Sequence, residues 1–404
     1  MDKQYDSTSD GLSEAAIRGS RAVQSKSSVR QFRLLTITNP GHDYRPGSTL
    51  PERDALKELE LADRYPRSTF FEESLGTEVS RYRIPQGASI LHRWIYRFLP
   101  SMLPQAIDAV LNRKKYDAII AWGSRIGVLC GALLRITRSK GVLIMMTHYL
   151  SRPGRQFLLR FASKRFDAII TWSSVQRNYA IEELHFPPAR VYLVSRRVDQ
   201  KFFRPMPGAQ DLICSVGHEN RDYATLVGAL RGLDIPCHIA TEHVLMGGSV
   251  LSKRENIRAA IELPPNVSTG TLSYEDLRKL YARSRFVVVP LLPSDTDNGA
   301  STIQEAMAMG KAVICTRTKG QVDIIQDGVS GLFVEPGDVV ALREAIVYMW
   351  KNPDVAKRVG EAGRKIIEDH HTLDHFVEQV RIAVTKTILD SESQSSNSTI
   401  TGGS

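Results

Sequence analysis

Two carboxylates eight positions apart, Asp297 and Glu305, bracket the stretch of this sequence best equipped for chemistry. Between them stand the small residues Asn298-Gly299-Ala300-Ser301-Thr302, and ahead of them the apolar run Val287-Val288-Val289-Pro290. That order predicts a buried strand, a small-residue loop, a short helix from about Ser301 to Met309, a C-cap glycine at Gly310 and another buried strand. Such a loop is expected to expose backbone N–H groups at Gly299, Ala300 and Ser301, because the first turn of a helix has no internal partners for its amides. The helix dipole adds partial positive charge there, and a diphosphate is the natural guest, with Asn298 in the same loop. Glu305, about one turn inside the helix, can accept two hydrogen bonds from a vicinal diol such as a ribose. Asp297, ahead of the helix, can face a group beyond the phosphates.

The elements that must hold these residues repeat along the chain. Short β-branched runs alternate with helical patterns, which is the grammar of βαβ units around parallel sheets. The first half predicts strands at 32–38, 116–121, 141–147, 166–171 and 191–194, and the second at 211–216, 236–241, 285–290, 312–316 and 331–334. A helix is expected over Tyr274 to Arg283, with Ser273 as N-cap and Asp276 three residues on. Pro205 and Pro207 fall in a linker at 199–210, where proline stops helix and sheet alike. At 404 residues the chain is also too long for one ordinary core. The expected organisation is therefore a disordered tail at 1–30, an α/β domain at 31–204, and a second α/β domain at 205–370. A helix at 371–389 that packs back on the first domain and a disordered tail at 390–404 complete it. Two such domains leave a cleft between the carboxyl ends of their strands.

The Asp297/Glu305 pair resembles the E-x7-E motif of retaining glycosyltransferases of the GT-B fold, especially family 4, with Asp in place of the first Glu. The resemblance runs over roughly residues 32 to 375. It includes Asn39-Pro40-Gly41-His42, Thr147-His148, Val194-Ser195-Arg196-Arg197-Val198-Asp199, Val216-Gly217-His218-Glu219-Asn220-Arg221 and Asp327-Gly328-Val329-Ser330-Gly331. It implies two Rossmann-like domains facing across a cleft, 31–204 binding the acceptor and 205–370 the nucleotide sugar, and transfer of a sugar from a nucleotide diphosphate to a hydroxyl acceptor with retention. It also implies site roles: His148 and Asp297 on the donor sugar, Glu305 on ribose, Arg221 on the diphosphate, His218 as a partial substitute for the family's arginine, and Gly41 in the glycine-containing first loop. His42 is open between an acceptor contact and an ordinary turn residue. The turn at Ser195-Arg196-Arg197 departs from the family's Pro-Asn-Gly.

Rival readings are weighed by residues. Asp295-Thr296-Asp297 spells D-x-D, the metal-binding signature of the other large glycosyltransferase fold, where it ends a strand of a single domain; here it precedes a phosphate-facing helix. No metal and no cofactor are therefore expected beyond the donor, for which a UDP-sugar is the default and a GDP-sugar next. A nucleotide-sugar epimerase of the same fold and a catalytically silent binding protein stay open. A dinucleotide dehydrogenase is disfavoured, since no G-x-G-x-x-G follows a strand.

Composition sets the remaining bounds. Hydrophobic residues at 42% and charged residues at 24% are those of a globular chain. Four cysteines, Cys130, Cys214, Cys237 and Cys315, lie far apart in apolar runs, as buried reduced thiols do. With no apolar leader at the N-terminus, the expectation is a cytoplasmic protein, peripheral at the inner membrane face. The net charge of +9 is uneven: residues 1–200 hold 31 Lys and Arg against 19 Asp and Glu. That excess suits an anionic membrane or a phosphorylated acceptor, whereas nucleic-acid binding is not expected of a chain with an acidic second half. The aromatic and basic stretch 90–107 is read either as an interfacial patch or as a helix packed on its own sheet.

Overall fold

The computed structural model describes residues 30–38, 53–80, 102–151, 156–241, 250–252, 259–321 and 323–400. Its first sheet is built from β1 (Leu34–Thr38), β2 (Thr77–Ser80), β3 (Ala118–Trp122), β4 (Leu143–Met146), β5 (Ala168–Thr171) and β6 (Val191–Leu193), in the order β2-β1-β3-β4-β5-β6. All neighbours in it are parallel. The second domain carries β7 (Leu212–Val216), β8 (Cys237–Ala240), a small antiparallel pair β9 (Val250–Ser252) and β10 (Ala259–Ile261), β11 (Val267–Gly270), β12 (Ser284–Val289), β13 (Ala312–Thr316) and β14 (Leu332–Val334). Its main sheet is again parallel, in the order β11-β8-β7-β12-β13-β14.

Parallel strands need crossover helices, which cover both faces of the sheet and demand apolar side chains on each. In β4 all four residues are fully buried. Alternate side chains of that strand serve different cores, as the twofold period requires. Leu143 and Met145 pack with Ile126, Leu134 and Phe166, whereas Ile144 and Met146 pack with Phe376, Val377 and Val380 of the C-terminal helix. The cysteines are all free and buried, and burial pushes the thiols of Cys130, Cys214 and Cys315 up to about 12. Helix Tyr274–Arg283 is capped as expected: Ser273 Oγ accepts from the Asp276 amide at 3.1 Å and donates to its carboxylate at 2.7 Å.

The chain passes between the domains twice, and the passages lie side by side. Helix Pro353–His370 packs on the second domain through Ala356, Val359 and Ile367. The chain then bridges Thr372 to Val198, just ahead of the linker, with the Val198 amide donating to His371 O at 3.1 Å and the Leu373 amide to Val198 O at 3.0 Å. Helix Leu373–Ile400 follows on the first domain, crossing the boundary expected at 389 and continuing as helix into the stretch read as a tail. Side-chain bridges close the rims of the cleft. Asp63 accepts from Arg204 at 2.7 Å and from Arg278 at 2.9 Å, and Asp295 accepts from Ser151 Oγ at 2.6 Å.

Of the aromatic stretch, residues 90–101 lie outside the described residues; the rest belongs to helix Met102–Asn112, which buries Ala106, Ala109 and Val110 in the first core. Among the described residues no helix is long and apolar enough to cross a membrane.

Candidate functional site

The second domain contributes a wall made chiefly of backbone. After β7 the chain turns at Gly217, whose φ of +100° suits glycine, and a Cβ there would stand 2.6 Å from Arg221 Nη2. Arg221, 6% exposed, sits beneath this turn. Its Nε donates to Val216 O at 2.9 Å, Nη1 to Glu219 O at 2.8 Å and Nη2 to Thr302 Oγ1 at 3.0 Å. After β12 the chain reaches Gly299, the N-cap of helix Ala300–Ala308, at φ +84°; a Cβ there would meet Val289 Cγ1 at 2.8 Å. The Ala300 amide, expected to face outward, donates instead to Asp297 O at 3.2 Å, which leaves Ser301 and Thr302 to supply the amides at the helix start. Asn298 is turned into its own loop: its Nδ2 donates to Ser294 Oγ and Thr296 Oγ1, and its carbonyl accepts from Gln321.

The opposite wall is made of rings and guanidinium groups. His148, just past β4, stacks on Trp172 with ring centres 5.6 Å apart and planes 21° apart. Trp122, at the end of β3, lies near Trp172 and Phe376, at 6.3 and 6.2 Å. Two cations from the segment after β6 complete this wall. Arg196 Nε donates to Asp297 Oδ2 at 2.7 Å, its Nη2 converges on the same oxygen, and both side chains are mostly buried, 14% and 7% exposed. Arg197 lies over the rings of both Trp122 and Phe376, 4.6 Å from each centroid.

Between the walls lie two cavities. One, of about 430 Å³, is lined by His148, Trp172, Arg196, Gly217, Asp297 and Gly299 among others. The second, of about 560 Å³, is lined by Glu305, Tyr274, Tyr65, Arg67 and Asp199 among others. Trp122, Arg197, His218 and Ser301 line both, and so mark where they meet. Glu305 accepts from the fully buried Tyr281 hydroxyl at 2.8 Å. Burial first, and the neighbouring Glu305 carboxylate second, raise the Tyr281 pKa well above its ordinary value, so the phenol remains a donor that orients Glu305.

The structure thus brings His148, His218, Arg221, Asp297, Asn298, Gly299, Ala300, Ser301 and Glu305 to one interdomain groove. Gly41 and His42 lie outside the described residues. Within the groove three expectations change. Arg221 spends three donors on the protein itself, the Ala300 amide is taken, and the Asn298 side chain faces inward. The D-x-D carboxylates part company, Asp295 going to Ser151 and Asp297 to Arg196. Sequence reasoning missed Arg196, Arg197, Trp122, Trp172 and Phe376 as groove residues. The adjacent arginines where the family turn lacks them were the available signal; Phe376, nearly 80 positions beyond Asp297, offered none.

Comparison with known proteins follows this division. Residues 60–202 match the family model described as Glycosyltransferase Family 4, and residues 199–366 the model described as Glycosyl transferases group 1. The O-antigen chain mannosyltransferase C of Escherichia coli is 31% identical over 151 residues, 37% of this chain and 40% of that one. The N-acetyl-alpha-D-glucosaminyl L-malate synthase of Bacillus anthracis is 22% identical over 251 residues, 60% of this chain and 57% of that protein. The chain thus spans about half the length of the curated relatives it matches. Two solved structures share the fold: sucrose-phosphate synthase from Thermosynechococcus elongatus, at TM-score 0.64 and 16% identity, covering 89% of this chain and all of that one, and Anabaena HepE in complex with UDP-glucose, at TM-score 0.63 and 14% identity, covering 88% and 100%.

Proposed function

This chain belongs to the family of glycosyl transferases group 1, and on that premise we propose that it moves a sugar from a nucleotide-diphosphate sugar to a hydroxyl acceptor, with retention and without a metal ion. The reading is carried by one observation: along a single groove the residues follow the order of the parts of such a donor. Glu305 lines one cavity, where a ribose would sit. Ser301 and His218 stand at the junction, where the diphosphate would pass, and His148 and Asp297 line the other cavity, where the sugar would lie. The UDP-glucose bound by Anabaena HepE supports a UDP-sugar as donor.

In the proposed reaction the bond from the anomeric carbon to the β-phosphate oxygen breaks, and its electron pair leaves with the diphosphate. A bond from that carbon to the acceptor oxygen forms on the same face. The acceptor's proton passes to the departing phosphate oxygen, so no separate base is needed and the products are the glycoside and a nucleoside diphosphate. Both Arg196 donors converge on Asp297 Oδ2, which leaves Oδ1 to meet a sugar hydroxyl.

Calorimetry with UDP- and GDP-sugars tests the assignment through Glu305→Ala. Each charged hydrogen bond lost should weaken donor binding by about 1.5–3 kcal/mol. Unchanged donor affinity in that variant would sink the ribose assignment, and a product of inverted configuration would sink the retaining one.

A further inference from the structure

We infer that Arg197, in the segment after β6, is the cation that receives the donor's diphosphate. This rests on the functional reading above and adds to it the residue that supplies the charge. A nucleotide sugar lying along the groove must put its diphosphate where the two cavities meet. The side chains there are Trp122, Arg197, His218 and Ser301, and Arg197 is the permanently charged one among them. The two other arginines of this part of the groove line one cavity only. Arg221 is held beneath the glycine turn by Val216 O, Glu219 O and Thr302 Oγ1, and Arg196 is bound to Asp297. A diphosphate leaving group needs positive charge already in place as its own charge grows.

The setting of Arg197 supplies that placement. The faces of Trp122 and Phe376 each lie 4.6 Å from its guanidinium carbon. Aromatic faces attract a cation and so hold it in place. The rings come from separate elements, Trp122 from the end of β3 and Phe376 from the helix that returns from the second domain. The charge is therefore positioned only when the segment after β6 and the returning helix are both docked on the first sheet.

The test compares a nucleoside diphosphate with its monophosphate, so that base and ribose cancel. Wild-type protein is titrated with UDP and UMP, and with GDP and GMP, and the ratio of affinities is taken for the base that binds. Arg197→Gln should lower that ratio tenfold or more, and Arg197→Lys should recover part of it. Trp122→Leu should lower the ratio threefold or more while leaving Arg197 present, and it decides the matter if Arg197→Gln does not fold in a thermal melt. Ratios that stay at the wild-type value in Arg197→Gln or, failing that variant, in Trp122→Leu overturn the role of Arg197 and leave the functional reading standing. A wild-type protein that binds neither UDP nor GDP overturns both.

Discussion

The two walls of the groove present positive charge by different means. On the second domain the donors are amides at a helix start, held by two glycines in left-handed conformation and braced from below by the buried Arg221. Everything on that wall is set within 90 residues of chain and one sheet. The facing wall relies on side chains: a histidine stacked on a tryptophan, one guanidinium clamped by two rings, another paired with a carboxylate from across the groove. Its parts come from the ends of β3, β4 and β5, the segment after β6 and the C-terminal helix. A backbone site is rigid because the fold fixes φ and ψ, whereas a side-chain site of this kind depends on separate elements of the first domain and the C-terminal helix packing together.

That contrast is breakable at three points. The largest effect is expected at Arg196. Arg196→Ala leaves Asp297 buried without its partner, a loss of about 3–5 kcal/mol for an uncompensated buried charge. Adding Asp297→Asn to that variant should restore much of the stability in a chemical denaturation series. Equal stability of the single and double variants would show that the pair is not coupled. A smaller loss is expected on the backbone wall. Gly217→Ala forces a side chain into φ +100° and against Arg221, at about 1–3 kcal/mol, and nucleoside diphosphate affinity should fall with it. If affinity fell and the melting temperature did not, the turn would serve the ligand alone.

The smallest effect concerns the crossing between the walls. His371 is half-buried where the chain leaves the second domain, and its buried Nδ1 has no hydrogen-bond partner among the described residues. Burial lowers its pKa to about 4, partly offset by a hydrogen bond to the backbone of Arg196. A histidine lowered in this way binds fewer protons when folded. Its contribution is full above the unfolded value of about 6.5 and is lost as pH falls toward 4. Melting temperatures followed from pH 7 to 4 should drop less steeply in His371→Gln than in the wild type; parallel curves would exclude the histidine as a source of acid sensitivity.

Most strands were legible because parallel sheets bury both faces and leave uninterrupted apolar runs such as Leu143–Met146 and Val287–Val289. The two main-sheet strands that were missed, Thr77-Glu78-Val79-Ser80 and Val267-Ser268-Thr269-Gly270, begin their respective sheet orders at the edge. An edge strand has one neighbour and less to bury, so its residues are polar and carry little periodic signal. The tail expected from residue 390 was misread for a related reason: the Ser-rich run 391–398 has the composition of a disordered segment, yet it continues a helix whose earlier turns are anchored by Val380, Val384 and Ile388.

The sequence by itself determined the glycine turns, the helix cap and the carboxylate spacing of Asp297 and Glu305, because each depends on residues a few positions apart whose backbone preferences are local. Only the tertiary structure decided where the charges go. It buried Arg221 under its own turn, paired Arg196 with Asp297 across 101 positions, and brought Phe376 to Arg197. A guanidinium on a long, flexible side chain carries no local preference for its partner, so its role is assigned by whatever the packing of two domains places within reach.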